Sequence, residues 1–186
     1  SIDATVQIIL IPPAVWLGYA VARARGIDFG IQNIHTEASG AFTGEIAAEM
    51  AAEAGATYAL VGHSERRQLF GESDEMVRAK FVAARRAGLV PILCVGETLD
   101  ERHAGHEQDV VLSQLETALD GSVVTAKNTV IAYEPVWAIG TGETATPEQA
   151  QMMHAVVRDA ISDPDVRILY GGSVNPGNAE TLFAQP

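Results

Sequence analysis

Six short apolar runs, each followed by a longer stretch of helical period, constrain this chain more than any other feature. The runs are Gln7–Ile11, Asp28–Gln32, Tyr58–Gly62, Val90–Val95, Thr129–Glu134 and Val166–Gly171. They are rich in Ile, Val, Leu and Tyr, as strands buried on both faces should be. Helices are expected near Val15–Arg25, Gly44–Ala54, Asp74–Ala87, Gly105–Leu119, Pro147–Ile161 and Pro176–Phe183. In the third, Met76, Val77, Phe81 and Ala84 form the apolar stripe with Lys80 at its edge; Ser73 is the expected N-cap and Gly88 the residue past the end. Thr146-Pro147-Glu148 reads as a cap, a proline at the first helical position and an acid in the first turn. Strict alternation of strand and helix implies an α/β fold of parallel strands joined by right-handed crossovers. Both an open doubly wound sheet and a closed barrel satisfy that pattern, although no G-x-G-x-x-G follows the first strand to support dinucleotide binding.

Length narrows the choice. Six units in 186 residues average about 31 residues each, so eight would need roughly 250, the usual size of a (β/α)8 barrel. The chain opens almost directly into a strand and stops close to a helix, so two units are expected to be absent from these residues. No linker or low-complexity segment interrupts it, which makes residues 1–186 a single domain, incomplete at both ends.

Composition excludes several functions. The chain is 47% hydrophobic and 19% charged, which is globular rather than disordered. A net charge of −12 disfavours nucleic acid and anionic membranes as partners. One cysteine, Cys94, rules out a disulfide framework and fits a reducing compartment. The uncharged stretch from Ala4 to Ala22 has nearly the length of a membrane span, but Pro12-Pro13 at its centre would break a spanning helix. Asp3 stands where a signal peptide would carry basic residues.

Three segments carry chemistry. In Tyr58-Ala-Leu-Val-Gly-His-Ser-Glu-Arg-Arg67 a strand ends in Gly62, and His63 follows as Ser64 and Glu65 open a helical turn. The partial positive charge of a helix N-terminus disfavours imidazolium there, so His63 is placed to act as a neutral electrophile on a carbonyl oxygen. A lone histidine after a strand is more often structural. In Val130-Ile-Ala-Tyr-Glu-Pro-Val-Trp-Ala-Ile-Gly-Thr-Gly142, Glu134 closes a buried strand, where desolvation makes a carboxylate a stronger base toward a carbon acid. A salt-bridge role is the plainer reading of that glutamate alone. Val136–Gly142 has the make-up of a lid, with Trp137 and Ile139 as apolar anchors ahead of two glycines. In Tyr170-Gly-Gly-Ser-Val-Asn175, Gly171 and Gly172 let backbone approach a ligand closely and the Ser173 N–H can meet an anion. Gly-Gly turns are common, so this segment alone is a weak signal.

Together, and in this order, Gly62-His-Ser-Glu-Arg-Arg67, Ala132-Tyr-Glu-Pro-Val-Trp-Ala-Ile-Gly-Thr-Gly142 and Tyr170-Gly-Gly-Ser-Val174 resemble the triosephosphate isomerase family. Gln32-Asn33, Ser39-Gly-Ala-Phe-Thr-Gly44 and Leu93-Cys-Val-Gly-Glu97 match it too, so the likeness runs through nearly the whole chain. The resemblance implies a TIM (β/α)8 barrel, of which six β/α units are present. It also implies an isomerase of glycolysis and gluconeogenesis that interconverts dihydroxyacetone phosphate and D-glyceraldehyde 3-phosphate through an enediolate. Glu134 would be the base and neutral His63 the electrophile. That family is itself the standard example of this carboxylate–imidazole pairing, so these roles come from resemblance rather than spacing. By the same carry-over Gly140, Ser173, Gly171 and Gly172 would bind the phosphate, and Glu65 and Cys94 would support the site. Thr43 would enter a neighbouring subunit's site in a homodimer, with Glu45, Arg66 and Gln32 around that contact and Ala41-Phe42 as its apolar filling. No cofactor or metal is implied, and the expected location is the cytoplasm. His35, His103, His106 and His154 fall outside the matching chemistry.

The departures matter as well. The family's first strand brings a lysine to the substrate, whereas Lys80 lies within a helix here and Lys127 in a connection before a strand. Losing that charge from a dry anion site lowers rate steeply, so turnover by these residues alone is expected to be poor. Two other classes fit less well: an isomerase of longer ketose phosphates, and a non-catalytic interaction protein derived from the family.

Overall fold

The computed structural model describes residues 6–139 and 144–185. Its six strands are β1 (Ile9–Leu10), β2 (Asp28–Ile31), β3 (Tyr58–Val61), β4 (Val90–Val95), β5 (Val130–Tyr133) and β6 (Arg167–Tyr170). All neighbours pair in parallel, and the spatial order is the chain order, β1 to β6. A doubly wound sheet reverses its strand order at a switch point; the unbroken order found here is that of a barrel wall. The helices are α1 (Leu17–Arg23), α2 (Ala48–Glu53), α3 (Ser64–Phe70), α4 (Asp74–Arg86), α5 (Leu99–His103), α6 (Glu107–Leu119), α7 (Pro147–Ala160) and α8 (Ala179–Phe183).

Side-chain alternation along the strands builds two layers. Val61, Leu93, Val95, Ile131 and Tyr133 point outward and are buried under Val77 and Phe81 of α4, Val111 and Leu115 of α6, and Met153 and Val157 of α7. Each such aliphatic side chain contributes about 1.5–3 kcal/mol by leaving water. The opposite parity places Tyr58, Leu60, Ile92, Cys94, Val130 and Ala132 together on the inner face, with Ile9 and Ile11. Polar bonds across that interior show the curl. Arg167 on β6 donates to the Gln7 amide oxygen beside β1. Gln7 in turn donates to Asp28 at 2.5 Å and to the Tyr58 hydroxyl at 2.8 Å.

Ser73 and Thr146 cap α4 and α7 as expected, each accepting a backbone N–H two or three residues into its helix. Several boundaries differ from the sequence reading. The strands other than β4 are shorter than their apolar runs. The first helical segment opens as a 3-10 turn, Ala14–Trp16. The second helix begins at Ala48 rather than Gly44, because His35 N–H donates to the Ile46 carbonyl and holds that stretch extended. The last begins at Ala179, because the Asn175 side chain accepts the Gly177 N–H and turns the chain first. Lys80 is not at the edge of its stripe. It is buried, donating to Glu72 at 2.5 Å and Asn33 at 2.6 Å, and the ion pair removes the penalty that would push a lone lysine outward. Among the described residues no helix is long and apolar enough to cross a membrane.

Candidate active site

Glu134 stands one residue past β5, on the same face as Val130 and Ala132, and the β4–β5 ladder continues beneath it. Its N–H donates to the Val95 carbonyl at 2.8 Å, and the Val136 N–H donates to the Glu97 carbonyl at 3.1 Å. Two glycines make the slot in which it lies. A Cβ on Gly96 would fall 1.7 Å from the Glu134 carbonyl oxygen, and one on Gly171 would fall 2.7 Å from Glu134 Cγ. Neither position tolerates a side chain with the backbone as it stands.

The Glu134 carboxylate is 4% exposed as a residue and is held by two groups. Oε2 accepts the Ser64 N–H at 2.8 Å, and Oε1 lies 3.3 Å from His63 Nε2. His63 is the N-cap of α3, and its Nδ1 accepts the Glu65 N–H at 3.3 Å. That bond requires an unprotonated Nδ1 and leaves Nε2 as the nitrogen that carries hydrogen toward the cavity. Gly62 makes the turn possible: its φ is +75°, and a Cβ there would meet Val77 at 2.8 Å.

His63, Cys94, Glu134 and Gly171 line one cavity of about 650 Å³, walled by Ile11, Leu60, Ile92 and Leu169 and reaching Gln7 and Arg167 at the far end. Cys94 is fully enclosed there. Burial, and next the charge of Glu134, push its thiol well above the usual range, so it stays a packed thiol rather than a thiolate. Ser173 donates its hydroxyl to the Ala138 carbonyl at 3.2 Å, tying the turn after β6 to the segment after Glu134. Gly171 N–H donates to the Tyr133 carbonyl at 2.7 Å, and Gly172 follows it in that turn. Gly140 lies outside the described residues.

The lid-like segment starts as a 3-10 turn, Val136–Ala138, fastened to a group the sequence reading gave no role. Glu97 has no exposed surface, and its Oε1 accepts the Trp137 indole N–H at 2.8 Å, Arg102 at 2.9 Å and the Tyr133 hydroxyl at 3.1 Å. Burial, then the charge of Glu97, push the Tyr133 hydroxyl up, keeping it a donor. Arg102 sits on α5, whose start is fixed by reciprocal bonds between Thr98 and Glu101. The signal available in the sequence was Glu97 itself, an acid directly after a buried strand and a glycine.

The remaining expected residues lie apart from the cavity lining. Glu65 projects into solvent 4.0 Å from His63 Nδ1. It borders a hollow of about 260 Å³ shared with Gln32, Asn33, Leu60, His63, Arg66 and Phe70. Arg66 pairs with Glu72 at 2.6 Å and lies over the Phe70 ring at 4.2 Å. Thr43 and Glu45 are exposed on the loop before α2, where Phe42 stacks on His35 with ring centroids 4.2 Å apart.

Comparison with known proteins gives concordant results. A sequence model of the family described as triosephosphate isomerase matches residues 1–186. The chain is 50% identical over 187 residues to a triosephosphate isomerase of Alcanivorax borkumensis, covering 96% of this chain and 76% of that protein. It is 52% identical over 191 residues to that of Stenotrophomonas maltophilia strain R551-3, covering 97% of this chain and 76% of the relative. With that of Xanthomonas campestris pv. campestris strain 8004 it shares 49% over 193 residues, or 98% and 76% of the two chains.

Proposed function

The chain belongs to the triosephosphate isomerase family, and from that premise we propose that Glu134 and His63 interconvert dihydroxyacetone phosphate and D-glyceraldehyde 3-phosphate. The Glu134 carboxylate takes a proton from the carbon next to the carbonyl and returns it to the neighbouring carbon. Negative charge developing on the carbonyl oxygen is met by the His63 Nε2–H, and oxygen-bound protons pass through the same imidazole. The observation that carries this reading is the 3.3 Å approach of Glu134 Oε1 to His63 Nε2 at an apolar cavity.

Gly140, Gly171, Gly172 and Ser173 supply the phosphate donors. The bond from Ser173 to Ala138 supports that grouping, since it links the turn after β6 to the lid segment. Closure over the substrate would exclude water and keep the enediolate from expelling phosphate. Glu65 borders His63, and Cys94 packs beside the base. Among the described residues neither Lys80 nor Lys127 lines the cavity. The protein works in the cytoplasm as a homodimer, with Thr43 entering the partner's hollow beside Gln32, Glu65 and Arg66. The 186 residues form one domain and contribute six of the barrel's eight β/α units.

Glu134→Asp tests the base in the full chain. Retracting the carboxylate by one methylene should lower kcat by about 100-fold and change KM little, because the loss falls on positioning for proton transfer. An unchanged kcat would remove Glu134 from the role.

A further inference from the structure

Gln114 is a polar side chain on a helix face otherwise given to packing. Val111, Leu115 and Ala118 of α6 are buried against the sheet, and Gln114 shares their side of the helix. Its amide turns toward the end of β4 and closes a two-point contact with one residue. The side-chain oxygen accepts the Gly96 N–H at 2.9 Å, and the side-chain nitrogen donates to the Gly96 carbonyl at 3.1 Å. Gly96 is the residue whose Cα faces the Glu134 carbonyl, with no space for a Cβ between them. Its neighbours in sequence, Val95 and Glu97, accept the N–H groups of Glu134 and Val136.

We propose that Gln114 is a positioning residue for Glu134: its amide fixes the Gly96 backbone, and the Gly96 backbone sets where the base stands. This rests on the reading of Glu134 as the base. Gly96 lies beyond the last residue of β4, so the strand ladder does not hold its own N–H and C=O; the Gln114 amide does. Without it those half-buried backbone groups lose both partners, and the 95–97 segment can shift. Because that segment receives the backbone N–H groups on either side of Pro135, a shift there moves the base and the start of the lid together. Gln114 itself need touch neither substrate nor Glu134.

The test compares Gln114→Leu, Gln114→Glu and Glu134→Gln with the parent, in the full chain. Amide hydrogen exchange followed by NMR requires no turnover. Gln114→Leu is expected to speed exchange at Gly96, Glu134 and Val136 by about tenfold or more while Ala132, inside β5, keeps its parental rate. Faster exchange at Gly96 alone would show that the contact ends there and would overturn the proposal. In the assay, kcat of Gln114→Leu should fall about tenfold with KM within about twofold, since misplacement acts on the proton transfer. Gln114→Glu adds a signature that a merely structural contact would not give. Its neutral carboxyl can accept and donate as the amide does, whereas its ionised form cannot donate. Its kcat relative to the parent should therefore rise as pH falls through the new carboxyl's titration. If Gln114→Leu fails to fold, Gln114→Glu decides by the same readouts, and parental exchange and turnover across pH would overturn the clamp. Full activity in Glu134→Gln would instead remove the base assignment, and the exchange rates would still judge the clamp.

Discussion

Glu134 is defined by what its neighbours lack. Gly96 and Gly171 leave the room its carbonyl and its side chain occupy, and Ser64 contributes only a backbone N–H. A methyl group at position 96 would collide with backbone rather than with a side chain that could turn away. Gly96→Ala is therefore expected to lower the melting temperature and to reduce kcat by about 100-fold, read by calorimetry and steady-state assay on the same preparation. Parental values for both would mean that the contact relaxes freely. At this scale the pairing of His63 with Glu134 at one cavity was legible, since each follows a buried strand within a distinctive segment. Gln114 was not, because its partner is backbone and leaves no pattern in side chains. Glu97 was visible only as part of a matching run, because its three donors come from Tyr133, Arg102 and Trp137, which only the fold brings together.

Elements were legible where one physical signal dominates. The apolar runs gave the strands, and α4 and α7 start at the caps their sequences carry. The short α5 has no buried residue and thus no apolar period to read. Lys80 shows the reverse error, a polar residue placed at a helix edge by its charge and drawn inward by an ion pair. Burial raises the Glu72 carboxyl, but hydrogen bonds from Lys80 and Arg66 outweigh it and hold Glu72 below its ordinary 4.5. A carboxyl depressed in the folded state stabilises above its unfolded value and loses that contribution as pH falls through the folded one. Lys80→Met, which leaves the buried Glu72 carboxylate with Arg66 as its remaining cationic partner, should cost about 1.5–3 kcal/mol in denaturant unfolding near neutral pH. The deficit should shrink as pH falls toward and through 4.5, because without Lys80 the folded carboxyl takes up its proton earlier than in the parent. A deficit independent of pH would assign the loss to packing.

On the scale of the whole molecule, the ends of β3, β4, β5 and β6 bring His63, Gly96, Glu134 and Gly171 to one mouth of the curled sheet. The alternation of strand and helix left open whether the sheet closes, because both architectures share it. The sequential strand order excludes the doubly wound sheet, and the Arg167–Gln7 bond across the interior shows that the six strands curl as a barrel wall does. The proposed partner contact belongs to this scale too. Thr43→Arg, at the exposed loop tip, should convert a species of twice the chain mass into one of single mass in sedimentation equilibrium. A parent that sediments as a monomer would remove the dimer.

The most direct measurement is isomerisation of dihydroxyacetone phosphate in D2O by the full chain, followed by NMR, for the parent and Glu134→Gln. With Glu134 as the proposed base, the proton it takes up is open to exchange with solvent before it is returned. The parent should thus yield D-glyceraldehyde 3-phosphate bearing deuterium at the carbon beside its carbonyl, and Glu134→Gln should yield almost no product. Isomerisation at the parental rate by Glu134→Gln would contradict the account.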